Sequence, residues 1–216
     1  MEVVKQALVK FFDTLGMKSN VAEEMAFYGA YHSNPINQLI HVFCVPAIWG
    51  TGVVWVAYSP KLFKGAPFWC NWSFLGYLFY ASYYAVMDEK TAVVADTFYF
   101  LVFYLANLVV YKERKAAILN AKLAGGSQAK PGQVRPSYKA AKWALLIHVL
   151  GWYLQIHPGH AIFEGRKPAL MDSLSQAVTL APLFVVYEAI WFLVPGYNAE
   201  MKAAVDARIK EIQATM

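Results

Sequence analysis

Charge is scarce in this chain. Charged residues make up 15% of its 216 positions and hydrophobic residues 58%, where soluble domains carry about 25% charged residues. That excludes an ordinary soluble domain and points to a chain that meets lipid. Cysteine is nearly absent as well. Cys44 and Cys70 both fall in or beside apolar segments, so they are expected to be buried free thiols that say little about redox compartment. No signal peptide is visible, because residues 1–20 are amphipathic and mixed in charge, not a basic stub before an apolar block. Targeting is then expected to use the first membrane segment. The chain has no internal repeat and no His-Glu-x-x-His helix of the zinc-protease kind. Its net charge of +5 comes from residues flanking apolar runs, which gives no case for nucleic acid.

What is present is apolar periodicity and aromatic side chains, 16% of the sequence, as in proteins with interfacial Trp and Tyr belts. The spacing of Val4, Leu8, Phe11, Phe12 and Leu15 predicts a short amphipathic helix at the interface. A second short helix follows, from Asn20 or Val21 to Tyr31. Five apolar stretches then come near the ~20 residues a crossing needs: 36–58, 67–87, 91–111, 139–156 and 173–194. The expected fold is an all-α polytopic membrane protein in a single domain over 1–216, with about five embedded helices. Within it, 1–34 holds the interfacial helices, 35–111 three spans, 112–138 a polar loop, 139–196 two spans, and 197–216 an amphipathic tail. The loop has a Gly-Gly-Ser-Gln-Ala-Lys-Pro-Gly core that reads as flexible. The fourth span is expected to stop at His157-Pro158-Gly159-His160, because proline and glycine both end helices.

Two of the five histidines, His32 and His41, bracket a helix start at Asn34-Pro35. Asn as N-cap accepts from free backbone N–H groups, and Pro at the first helical position loses nothing by lacking its own. On one unbroken helix, residues nine apart turn about 900° and lie on opposite faces. With the helix beginning at Pro35, His32 can fold back over its end while His41 lies ~9 Å inside. If all five segments cross, the start of the first span and the end of the fourth share a membrane face. That brings His32, His41, His157 and His160 to one side. Thirteen of nineteen basic residues fall on the opposite face and six on the histidine face. The positive-inside rule therefore puts the polar loop in the cytosol and the histidines toward the lumen.

Intramembrane histidines mark functional sites by default, and clustered neutral imidazoles suit Zn, Cu, Fe or Ni. Asn37, Glu164, Arg166 and Asp172 lie near enough in sequence to support such a cluster, Glu164 being the nearest acid past the second histidine pair. His148 sits mid-span in an apolar helix and is expected to be structural or to support the ligands. The aromatic stripes of the second and third spans are expected to be packing.

The pattern Phe27-Tyr28-x-x-Tyr31-His32-x-Asn34-Pro35-x-Asn37-x-x-Ile40-His41, with Pro46 beyond it, is joined by a second set. That set is Gly151-Trp152, Gln155, Gly159-His160, Phe163-Glu164, 166–170 and Leu180-Ala181-Pro182. Together they resemble a family of small helical membrane proteins, long of unknown function, that includes the fungal 2-hydroxy fatty acid dioxygenase of phytosphingosine degradation. The resemblance covers about 27–193 and departs between Gln155 and Gly159, where this chain has one residue more. It implies a multi-pass endoplasmic-reticulum enzyme that uses Fe(II) and O2 to shorten a 2-hydroxy fatty acid by one carbon, with release of CO2. It makes His32, His41 and His160 the prime iron ligands, with His157 beside them and Glu164 in the catalytic set. Asn37, Arg166 and Lys167 become candidates for holding the substrate, and Tyr31 and Asp172 supporting residues. Two rival readings keep the fold: a bis-histidine haem electron carrier, and a non-catalytic lipid-binding or scaffold protein. The eight-histidine pattern of membrane di-iron desaturases is not met by five histidines.

Overall fold

The computed structural model describes residues 2–124 and 134–215. Among these residues eight α-helices follow one another: α1 (Glu2–Thr14), α2 (Val21–Ala30), α3 (Pro35–Val56), α4 (Trp72–Met87), α5 (Glu89–Leu123), α6 (Lys139–Leu154), α7 (Leu174–Leu193) and α8 (Ala199–Gln213). No strand forms among the described residues, so the chain is all-helical.

Short polar side chains set the starts. Asn20 accepts from Glu23 N–H, Asn34 from Ile36 and Asn37 N–H, Asn71 from Ser73 N–H, and Asp88 from Lys90 N–H. Each satisfies a donor that the first turn would otherwise leave orphaned. The α6 start has no such cap of its own. Glu113, reaching over from α5, accepts from the backbone N–H groups of Lys139 at 2.8 Å and Ala140 at 3.1 Å.

Three expectations change. First, α5 does not end near Tyr111 but runs on to Leu123. Hydropathy falls after Tyr111, yet Lys, Glu, Arg, Ala and Leu are all strong helix formers, so polarity alone does not end the helix. The Gly-Gly core expected to be a loop lies outside the described residues. Second, the chain does not stop at Pro158. It continues as a π-wound segment, Gln155–Glu164, and ends at Gly165 with φ +64°. The wider i→i+5 winding accommodates a proline that would break an i→i−4 ladder. Third, only α3 and α5 are both long and apolar enough to cross a membrane among the described residues, instead of five helices. The α4 helix begins at Trp72 rather than Pro67, and α4 and α6 have 16 residues each.

The core gathers side chains from seven of the described helices, all but α6. Phe12 of α1 packs edge-on against Phe79 of α4 and sits 4.9 Å from the Tyr83 ring. Tyr28, Tyr84, Tyr99 and Phe184 fill the centre. The last helix closes on the first half of the chain. Gln213 Nε2 donates to Ala30 O at 3.0 Å and to the Ser33 hydroxyl. The segment between α2 and α3 is thus held from both sides.

Candidate metal centre

Three elements distant in sequence each deliver one buried imidazole. His32 lies just past the end of α2. Its Nδ1–H donates to Tyr28 O at 2.8 Å, and its ring stacks on that of Tyr28 at 4.2 Å. His41 stands in the second turn of α3, where Nδ1–H donates to Asn37 O at 2.9 Å. His160 comes from the π-wound segment. The ring centroids lie 4.4 Å (His32–His41), 4.8 Å (His32–His160) and 5.1 Å (His41–His160) apart. One ring nitrogen from each lies within 4.8 Å of the others, and all three residues are buried.

This arrangement fits a metal ion. With Nδ1 of His32 donating to a carbonyl, Nε2 must carry the lone pair, and it is buried with no partner. His160 Nδ1 is also buried with no partner. Two buried ring nitrogens without partners in one cluster are costly unless something fills the space between the rings. Burial, with His41 and His160 adding to it, holds the His32 pKa well below its ordinary value. Burial likewise lowers His160 to about 4 against a smaller opposing pull from Glu164. Both imidazoles are therefore neutral at pH 7, as metal ligands must be. Carbonyl acceptors behind His32 and His41 fix tautomer and ring angle, as outer partners do in metal sites.

The Glu164 carboxylate faces away from this point, toward the backbone. It accepts from Ser33 N–H at 2.8 Å, Asn34 N–H at 2.9 Å and Asn37 Nδ2 at 3.0 Å, while Asn34 Nδ2 donates to Phe163 O. One carboxylate thereby locks the end of the π-wound segment onto the start of α3, helped by the positive end of the helix dipole. Gly159 makes that closeness possible. A Cβ there would lie 2.6 Å from Asn37 Oδ1 and 3.2 Å from Leu154 O.

Other expected site residues are placed apart from the cluster. His157 is exposed and stacks on Tyr153 at 5.4 Å. The π winding separates it from His160, three residues on, and aims its ring outward. Arg166 donates to Ala30 O at 3.0 Å. Lys167 pairs with Asp172 at 2.7 Å, and Tyr31 donates its hydroxyl to the same carboxylate at 2.6 Å. Arg166 and Tyr31 thus tie the 165–172 loop to the end of α2, Lys167 pairs within that loop, and neither Arg166 nor Lys167 lines the cavity described next. His148 has both nitrogens occupied: Nδ1 pairs with Thr51 Oγ1 at 2.8 Å, and Nε2 accepts from the Trp152 indole at 3.0 Å.

A cavity of about 480 Å³ opens from the histidine cluster and runs between α3, α4, α6 and α7. Its walls are mostly apolar and aromatic, including Val45, Trp49, Tyr77, Tyr80, Ile156 and Pro182. An apolar cavity of this size with polar groups converging at one end is the form of a small-molecule site. Sequence reasoning placed Tyr28 in the family pattern but gave it no role; its carbonyl and ring both orient His32. The signal was present: Tyr28 and Asn37 each precede a histidine by four residues, the spacing that puts a carbonyl within reach of the ring.

The family model described as 2-hydroxy-palmitic acid dioxygenase Mpo1-like matches residues 18–192. This chain belongs to the Mpo1-like family. The Mpo1-like chain is 28% identical over 194 residues to 2-hydroxy-palmitic acid dioxygenase MPO1 of Saccharomyces cerevisiae, covering 89% of this chain and 92% of the yeast protein. No solved structure matches it.

Proposed function

We propose that this Mpo1-like protein is an Fe(II)-dependent dioxygenase that converts a 2-hydroxy fatty acid and O2 into the fatty acid one carbon shorter, CO2 and water. The observation that carries the reading is three buried imidazoles, two with unpartnered nitrogens, at the end of an apolar cavity. His32, His41 and His160 would hold the ion, which supplies a cationic site for O2 and for the hydroxyl and carboxylate of the substrate. All-imidazole ligation leaves that positive charge uncompensated, which favours an anionic head. The cavity takes the acyl chain and keeps water from the reacting end. Glu164 positions His41 and His160 by holding their two elements together, and does not carry protons. Ring centroids 4.4–5.1 Å apart speak against haem, which needs a macrocycle between two axial imidazoles.

The protein sits in the membrane of the endoplasmic reticulum on this reading, as the family resemblance implies. Support comes from apolar side chains turned outward: Phe43, Leu101, Leu145, Val149 and Phe192 are all exposed. A soluble protein rarely shows so much apolar surface. Only 33% of the apolar window of α3, and of α5, is buried, whereas the core helix of a soluble protein would be mostly covered. The test is metal analysis of anaerobically purified protein together with O2-dependent turnover of 2-hydroxypalmitate. Stoichiometric iron and release of the shortened acid are expected. A metal-free protein with no turnover after reconstitution with Fe(II) would end the proposal.

A further inference from the structure

One face of α3 forms a continuous wall of the cavity. From His41 the lining positions run through Val45, Ile48, Gly52 and Val56, the three-and-four spacing of a single helical face. Fifteen residues at 1.5 Å each make this wall about 22 Å long. An extended chain advances about 1.2 Å per bond, so the wall runs alongside about eighteen bonds. Gly52 lies about 16 Å from His41, opposite roughly the fourteenth bond. Across the cavity α4 contributes Gly76 to the lining.

These two glycines differ from others in the helices around them. A Cβ added at Gly50 would meet Val102 at 2.9 Å, and one at Gly151 would meet Ile48 at 2.9 Å, so those positions are small because a neighbour fills the space. A Cβ at Gly52 or Gly76 meets nothing within 4 Å. Glycine is the poorest helix former after proline, and neither position has a turn or a close neighbour to explain it. What lies in front of both is the cavity. Its far mouth is not closed over, for Trp72 is 57% exposed and Val56 43%.

We propose that Gly52 and Gly76 determine acyl-length specificity: by omitting side chains they keep the distal end of the cavity open to chains longer than about fourteen carbons. This rests on the reading of the cavity as the acyl site. Added side chains at these positions would convert an open-ended groove into one with a floor. Each methylene kept out of an apolar site weakens binding several-fold, so excluding a few is readily measured.

The test uses 2-hydroxy fatty acids of about ten to about twenty carbons, a range that brackets the wall length. Purified wild-type protein, Gly52→Leu and Gly76→Leu are compared. Binding is read as thermal stabilisation of the metal-free protein, and turnover is read after loading with Fe(II). Both substitutions enter open space on a helix, and each serves as the folding control for the other. The ratio of short-acid to long-acid affinity is expected to rise about tenfold or more in each variant. An unchanged ratio in both overturns the inference, whatever their turnover. A shifted binding ratio without turnover in any protein supports the length assignment and overturns the dioxygenase reading. Failure of wild type to bind any of the acids, both metal-free and loaded with Fe(II) under anaerobic conditions, overturns both.

Discussion

His148 and the trio His32, His41 and His160 face the same cavity, yet their surroundings differ in kind. The His148 ring is closed: hydroxyl on one nitrogen, indole N–H on the other, with Trp55 4.8 Å away. In the trio, His32 and His41 each spend one nitrogen on a carbonyl four residues back, while His32 Nε2 and His160 Nδ1 stay buried without partners. His148 is half-buried where the trio is buried, so burial and pairing point the same way. The pairing is the sharper difference: both His148 nitrogens are occupied, whereas His32 and His160 each keep a buried nitrogen free.

The largest way to break this comparison is His41→Ala. Metal affinity is expected to fall by more than the ~10–100-fold that loss of an outer partner costs, as measured by metal titration, and activity should go with it. Gly159→Ala should come next. Its Cβ forces Asn37 or the π-wound segment to move, costing about 1–3 kcal/mol of stability, and the displaced His160 should weaken metal affinity by ~10-fold or more. Glu164→Gln keeps shape and removes charge. We expect about 1 kcal/mol off the thermal stability and a ~10-fold weaker metal site, both readable in one metal-titrated melting series. His148→Gln sharpens the contrast from the other side: about 1–2 kcal/mol of destabilisation from the unpaired Thr51 and Trp152 groups, with metal stoichiometry retained. Loss of metal in that variant would contradict the distinction drawn here.

The smallest effect concerns acid. Hydrogen bonds from Lys167 and Tyr31 hold the Asp172 carboxyl below its ordinary value. Its contribution to stability is therefore present above the unfolded carboxylate pKa, about 3.9, and is lost as pH falls through the lowered folded value. Tyr31→Phe should move the acid-unfolding midpoint up by about a few tenths of a pH unit, with no change in metal content at pH 7.

The features legible in the sequence were those decided within a few residues. Asn34-Pro35 announced the start of α3, and that start frees His32 to fold back. The resemblance then named the three histidines that the fold brings together. Long-range features were hidden. Glu113 and Glu164 each cap a helix far along the chain, and nothing local to either glutamate announces a partner. The outward turn of His157 depends on winding around Pro158, which propensity reads as a stop. Arg166 has the chemistry for a carboxylate but is engaged with the Ala30 carbonyl, an acceptor that exists only once α2 has ended beside it.

The pairing of Gln213 with Ala30 and Ser33 has a consequence for biosynthesis. The bed for His32 is complete only when the final helix has been made and has docked on a segment synthesised near the beginning. Assembly of the three-histidine cluster therefore waits until α8 has been made and has docked.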